Sequence, residues 1–136
     1  MKVAPYLFLD GRAEEAIEYY RRVLGAEVGR MVRFKDNPDP KPGMTPPGAE
    51  NKIMHAALRI GDTALLISEG RCAGKPEFRG FSLSLSVADD AEADSKFTAL
   101  SDGGQVQFPL AKTFFSSSFG MVMDRFGIMW MVVVER

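Results

Sequence analysis

Hydrophobic and polar positions change period along the chain in a fixed order, and they do so twice. Residues 3 to 9 alternate weakly and carry aromatic side chains, which predicts a strand that Asp10-Gly11-Arg12 ends. From Ala13 to Leu24 the apolar positions Ala13, Ala16, Ile17, Tyr20 and Leu24 recur at helical spacing. Glu14, Glu15, Glu18, Arg21 and Arg22 fall on the other side. Gly25 stops that helix, and residues 26 to 34 resume as a strand. Ile53 to Ile60 and Thr63 to Glu69 flank Gly61-Asp62, a two-residue hairpin turn. The order then restarts: a strand from Ser82 to Val87, a helix from Ala91 to Asp102, the stop Gly103-Gly104 and a strand from Gln105 to Leu110. A closing hairpin, Phe114 to Asp124 and Ile128 to Val134, turns at Arg125-Phe126-Gly127.

An offset of 78 carries Ala13 onto Ala91, Glu14 onto Glu92, Tyr19 onto Phe97, Gly25 onto Gly103 and Val28 onto Val106. An offset of 65 carries the first hairpin onto the second, Leu66 onto Met131, Leu65 onto Trp130 and His55 onto Gly120. The two offsets make the second half 13 residues shorter. The stretch from Lys35 to Asn51, with Pro38, Pro40, Pro42, Pro46 and Pro47, accounts for the difference. These prolines forbid regular structure and leave two expectations, a semi-rigid flap over a pocket or a partner, with Met44 as its long apolar side chain, or a disordered surface excursion. Each half is therefore β-α-β-β-β. We expect a single domain, 1 to 136, made of module 1 (1 to 69) and module 2 (80 to 136) joined by residues 70 to 79.

The 136 residues can bury one shared core. A net charge of −1 gives no reason to expect nucleic acid or an anionic membrane as partner. The N-terminal apolar run is too short for a signal peptide or a span. One cysteine, Cys72, suits a reducing cytoplasm and leaves no disulfide. It lies in a glycine-flanked linker without a second histidine, which argues against a nucleophile. There is no Gly-x-Gly-x-x-Gly and no Gly-x-x-x-x-Gly-Lys-[Ser/Thr], so dinucleotide and phosphate-loop chemistry lack support.

Several motifs carry a family resemblance. They are Pro5-Tyr6-Leu7-Phe8 with Asp10-Gly11-Arg12-Ala13-Glu14-Glu15-Ala16 and Tyr19-Tyr20, Met54-His55-Ala56, Leu66-Ile67-Ser68-Glu69, and Phe119-Gly120-Met121 through Asp124-Arg125-Phe126-Gly127 to Trp130. With the paired modules, they resemble the PhnB-like group of the vicinal oxygen chelate superfamily, which includes glyoxalase I, bleomycin-resistance proteins and ring-cleaving dioxygenases. The resemblance implies an α+β fold with a curved, partly open mixed sheet, barrel-like, its helices on the outer face. It also implies a homodimer, and its four metal positions fall on Ala4, Leu66, Ser82 and Met131. Divalent ions need imidazole, carboxylate or thiolate donors, which this quartet lacks, so we expect no metal and no cofactor. Relatives that carry a methyltransferase label do not change this expectation. The chain shows neither a glycine-rich nucleotide turn nor the alternating β-α order of that fold.

Strand alternation divides the side chains into two faces. If Leu66 faces the pocket, so do Ala64 and Ser68, and pairing across Gly61-Asp62 adds His55, Ala57 and Arg59. The same rule selects Ala4, Tyr6 and Phe8, then Ser82, Ser84 and Ser86. In the closing hairpin it selects Gly120, Val122, Asp124, Met129, Met131 and Val133. The opposite face is wholly apolar. A small ligand is therefore expected at Tyr6, Phe8, His55, Arg59, Leu66, Ser68, Ser82, Ser84, Asp124 and Met131.

His55, the only histidine, is the candidate catalytic acid or base, with a structural role on its strand as the plain alternative. Rim pairing or turn capping competes for Arg59 and Asp124, and Glu69 reads as solvated at the hairpin end. Two functions follow. One is a metal-free small-molecule-binding protein; the other is a glyoxalase-type lyase or transferase, metal-free or with a displaced metal, working through His55.

Overall fold

The computed structural model describes residues 1 to 70 and 75 to 135. Cys72, with the middle of the joining segment, lies outside the described residues. Two compact units divide the chain, Met1–Pro76 and Glu77–Arg136. Each has the expected β-α-β-β-β order, and the eight strands form two unclosed four-stranded mixed sheets, the α+β arrangement anticipated above.

In the first unit, β1 (Tyr6–Phe8), α1 (Ala13–Leu24), β2 (Glu27–Arg33), β3 (Ile53–Ile60) and β4 (Thr63–Ser68) build a sheet in the order β1-β4-β3-β2. β1 runs parallel to β4, with Tyr6 beside Leu66 and Phe8 beside Ser68, and the other pairs are antiparallel. β1 is shorter than the seven residues anticipated, although the Pro5 carbonyl and the Leu9 amide still bond to β4. Helix α1 packs on β3, β2 and β4 through Ala13, Ala16, Ile17, Tyr19, Tyr20 and Leu24, all buried. Gly25, at φ 66°, closes it, its amide bonding the Arg21 carbonyl while Ala26 reaches Tyr20.

The second unit repeats this with β5 (Leu83–Val87), α2 (Asp90–Ser101), β6 (Gln105–Ala111), β7 (Phe119–Met123) and β8 (Met129–Val134), in the order β5-β8-β7-β6. Asp89 caps α2 by accepting the Glu92 amide at 2.8 Å, so the helix starts one residue before its expected position. Ala93, Phe97 and Leu100 are its buried face.

One expectation reverses here. Ala57 pairs with Leu66, whereas Met121 pairs with Met131. Leu66 and Met131 are 65 apart, but Ala57 and Met121 are 64 apart, because the turn at Arg125-Phe126-Gly127 is one residue longer than Gly61-Asp62. A one-residue slip moves a whole strand to the other face. Gly120 and Val122 therefore face α2, and a Cβ on Gly120 would meet the Phe97 ring at 2.7 Å. Phe119, Met121 and Met123 take the face opposite the helix, and the counterpart of His55 is Phe119, not Gly120.

The proline stretch has no helix or strand from 37 to 52, as its prolines dictate, but its base is held in place. Phe34 and Lys35 continue the β2–β3 ladder by donating to the Lys52 and Glu50 carbonyls, and a 3-10 turn covers Phe34–Asp36. Phe34 and Ala49 are buried. Arg33 grips both Glu14 carboxylate oxygens at 2.9 Å and the Asn51 carbonyl at 2.7 Å, tying the base of the loop to α1. That bond holds the Glu14 carboxyl below its ordinary pKa. Met44 folds back so that Asn37 Nδ2 donates to its sulfur.

Gly104 shows how closely β6 follows β7. A Cβ there would fall on the Met123 carbonyl oxygen, a backbone atom that cannot rotate away. Gly104→Ala is expected to cost about 3 kcal/mol, read as a lower denaturation midpoint with unchanged m-value. A loss below about 1 kcal/mol would mean the strands part easily at this point.

Candidate functional site

Five of the ten expected ligand residues come together in the first unit, on the sheet face that α1 leaves uncovered. Tyr6 and Phe8 lie two apart on β1, so both project to this face beside their partners Leu66 and Ser68 on β4. The β3–β4 register, which pairs Ala57 with Leu66, brings His55 to the Ser68 end. Tyr6 Oη and His55 Nδ1 lie 2.9 Å apart, their ring centroids 5.7 Å apart. The Tyr6 and Phe8 rings stack at 5.0 Å with only 24° between their planes. Both are unusually open for aromatic residues, at 39% and 54% exposure.

Behind this surface Ser68 is buried, and its hydroxyl accepts the Gly70 amide at 3.0 Å. Gly70 sits at φ 66°, and a Cβ there would press on the Phe8 ring at 3.1 Å, so glycine both makes the turn and seats Phe8. Burial raises the Tyr6 phenol above its ordinary pKa, and a bond from Ser68 partly offsets that shift.

The sign of that shift sets a pH window. A phenol whose folded pKa exceeds its unfolded value contributes stability that is complete below about pH 10 and is lost as pH rises through the folded pKa. Tyrosinate absorbance, compared between the parent protein and Tyr6→Phe, should show the Tyr6 proton leaving above the free-phenol range. Ionisation at or below that range would contradict the packing described.

The other expected residues lie elsewhere. Arg59, near the far end of β3, pairs with Glu27 at 2.6 Å, and both side chains are exposed. These two, with Lys2, Val3, Ala57 and Ala64, help line a separate cleft of 610 Å³. Ser82 and Ser84 lie in the second unit, where Ser84 is exposed and pairs with Met131 across β5 and β8. Asp124 corrects the ligand reading and takes the competing role of turn cap. It does not face the helix-free surface but is 2% exposed, accepting the Phe126 amide at 2.9 Å, the Ile128 amide at 3.0 Å and Trp130 Nε1 at 2.9 Å.

Glu69 is the second correction. Far from being solvated, it is 1% exposed, and Oε1 accepts the Gly11 amide at 2.7 Å and the Ala13 amide at 3.0 Å. It thereby caps α1 from 56 residues away, where Arg12 at the N-cap makes no capping bond with its side chain and pairs with Glu15 instead. Gly70 was not anticipated as part of the site, because the sequence shows a glycine just after a strand but not that Phe8 packs against it.

The residues at the four superfamily metal positions do not fit a divalent ion. Alanine and leucine offer no donor, serine a weak one and methionine a poorly matched sulfur. Among the described residues, no three His, Cys, Asp or Glu side chains gather as a ligand set. No described helix is long and apolar enough to cross a membrane.

Residues 1 to 133 match the protein family described as 3-demethylubiquinone-9 3-methyltransferase. Protein YjdN of Escherichia coli is 32% identical over all of this chain and 97% of its own length. The crystal structure of PA1353 from Pseudomonas aeruginosa is 40% identical, with a TM-score of 0.85 over 99% of this chain and 98% of that one. A PhnB protein of Bacillus cereus shares the fold at 24% identity, TM-score 0.81, over 98% and 99% of the two chains. The fold extends to a glyoxylase/bleomycin resistance protein/dioxygenase domain from Frankia, at 16% identity and TM-score 0.69 over 98% and 94%. The chain belongs to the family described as 3-demethylubiquinone-9 3-methyltransferase, and its fold is the one shared by the PhnB protein and the glyoxylase/bleomycin resistance protein/dioxygenase domain.

Proposed function

We propose that this chain is a small-molecule-binding protein whose ligand rests on the helix-free face of the first unit, against Tyr6, Phe8, His55, Leu66 and Ser68. The observation that carries the reading is the Tyr6–His55 contact at 2.9 Å beside two stacked, exposed rings. Polar groups held in fixed positions beside open apolar surface are the profile of a ligand site. The donor-poor quartet Ala4, Leu66, Ser82 and Met131 supports binding without the superfamily's usual metal. Methyl transfer fits the architecture poorly, since each module turns back in antiparallel hairpins and the chain has no glycine-rich nucleotide turn.

A thermal-shift panel followed by NMR titration tests the reading. Ligands that raise Tm should perturb Tyr6 and His55 and lose that effect in Tyr6→Ala. Binding that leaves both residues unmoved would place the site elsewhere. Elemental analysis should find no stoichiometric transition metal; a metal whose removal by chelation also unfolds the protein would reverse that part.

The Tyr6–His55 bond also favours a second reading, a metal-free or displaced-metal lyase or transferase with His55 as acid or base. Turnover of glyoxalase-type or epoxide substrates that vanishes in His55→Ala would select it. We further propose a cytoplasmic homodimer, in keeping with the exposed Phe108, Phe114 and Phe115. Light scattering that shows a monomer at micromolar concentration would count against it. The proline loop, tied down at its base, fits a cover for the site or for the second copy. Shortening it by 13 residues, to the length of its counterpart, should weaken binding or dimerisation while the fold keeps most of its stability.

A further inference from the structure

Resting on the binding reading above, we infer that the ligand is an aromatic carboxylate, its ring against Tyr6 and Phe8 and its anion between Arg59 and Arg30. The 610 Å³ cleft around Arg59 and the Tyr6–His55 face are two ends of one surface. Strand β3 carries His55, Ala57 and Arg59 at alternate positions, hence on one face. Ala57 pairs with Leu66 on β4, and Leu66 pairs with Tyr6 on β1. A line across the sheet therefore runs from Tyr6 over Leu66 to Ala57, about 10 Å at the usual strand spacing. Ala57 and Ala64 line the cleft, and their short side chains leave it room.

On the other side of Ala57 the edge strand β2 is bulged. Val28 pairs with Leu58 and Met31 with Ala56, so Gly29 and Arg30 together oppose Ala57. Such a bulge turns both residues toward the face of the residue they share, and here that is the face of the cleft. Gly29 lines the cleft. Arg30 is exposed, and it makes no ion pair or hydrogen bond among the described residues. Arg59, two residues along β3, holds Glu27 through one guanidinium nitrogen at 2.6 Å and keeps further N–H groups for a second acceptor.

Charge and shape then choose the ligand. The charged groups at this end are Lys2, Arg30 and Arg59 against Glu27 and Asp62. Three cations face two anions, and Glu27 is already matched by Arg59. An exposed pair of that kind is worth little, so Arg59 turns to a ligand at small cost. A planar carboxylate suits the arginine fork, which offers it two parallel N–H groups. The ring end follows from Tyr6 and Phe8, stacked at 5.0 Å and both open, with Leu66 as the apolar floor between ring and cleft.

The probes are 2-naphthoate and 2-naphthamide, which share a ring system and differ in charge. Titrated into the full chain, the acid should bind about tenfold more tightly than the amide. Added salt should narrow that difference, since exposed arginines are screened. Arg59→Gln and Arg30→Gln should each weaken the acid about threefold without touching the amide, and the double variant should bind both alike. Glu27→Gln frees Arg59 and should tighten the acid. In the parent protein, the acid should shift the side-chain N–H signals of Arg30 and Arg59 together with those of His55. Equal affinity for acid and amide overturns the inference. So does a preference that survives the double variant, including one that vanishes only in Arg71→Gln, at a position outside the described residues. If neither probe binds while other panel ligands perturb Tyr6 and His55, the ligand class is wrong and the binding face stands. If no ligand perturbs them, both fall.

Discussion

Asp124→Ala is expected to lower stability by about 4 kcal/mol, most of the margin of an ordinary small domain. The carboxylate accepts three hydrogen bonds, from the amides of Phe126 and Ile128 and from the indole of Trp130, in a site 2% exposed. Each such bond to a charged acceptor is worth about 1.5–3 kcal/mol, and the orphaned donors would stay buried. Asp124→Asn separates the contributions. Its oxygen can still take the two turn amides, but its NH2 group would oppose Trp130 Nε1–H, donor against donor, at a cost of about 2 kcal/mol. Trp130→Phe in the same chain removes the opposing donor, so the double variant should lose less than the sum of the single ones. Trp130 is the only tryptophan, so fluorescence during urea unfolding reports this environment directly. A loss below about 1 kcal/mol for Asp124→Ala would show that water reaches the turn and replaces the carboxylate.

Glu69→Ala should cost about 3 kcal/mol, because it leaves the Gly11 and Ala13 amides without acceptors at the start of α1. The negative charge at a helix N-terminus adds to what is lost. Glu69→Gln keeps an oxygen for both amides, so it should retain well over half of the stability that alanine removes. Its amide nitrogen would occupy the place of Oε2, which has no hydrogen-bond partner in the native protein. Hydrogen exchange should show the first turn of α1 opening in the alanine variant and staying protected in the glutamine one. Equal losses in the two variants would mean that charge alone, not the paired hydrogen bonds, holds the helix start. Glu69 also adjoins Ser68 and Gly70, so ligand binding should weaken in the alanine variant along with the helix.

These two carboxylates mark where the sequence was hard to read. Periodicity located α1 and the 78-residue repeat located α2, and the bounds of α1 and β3 agree with the spacing, because apolar stripes and glycine stops are local signals. The first hairpin register followed from a two-residue turn, whose length leaves one geometry. That register was enough to gather Tyr6, Phe8, His55, Leu66 and Ser68. The second hairpin was read by homology with the first, and one extra turn residue reversed β7. The signal was present: an aspartate whose side chain can reach the amide two residues on, followed by a glycine, marks an Asx-type turn rather than a pocket. Glu69 gave no such signal. A glutamate at a strand end beside a linker looks solvated unless one knows that an uncapped helix start, 56 residues earlier, lies against it. The stacking of Tyr6 on Phe8 was likewise invisible, since alternation gives the face of a side chain but not its rotamer.

The odd residue in the second turn also sets a rule for anyone engineering a symmetric, two-site version of this protein. Copying module 1 chemistry by the obvious hairpin offset would install the histidine at position 120, where even a methyl group collides with Phe97. The transplant must be split: strand β5 takes its tyrosine at Ser84, in step with Tyr6, while β7 takes its histidine at Phe119. A duplicated gene that grew or lost one residue at that hairpin could no longer exchange mutations between its halves on equal terms. After that event, the same substitution landing in each copy would test two different surfaces.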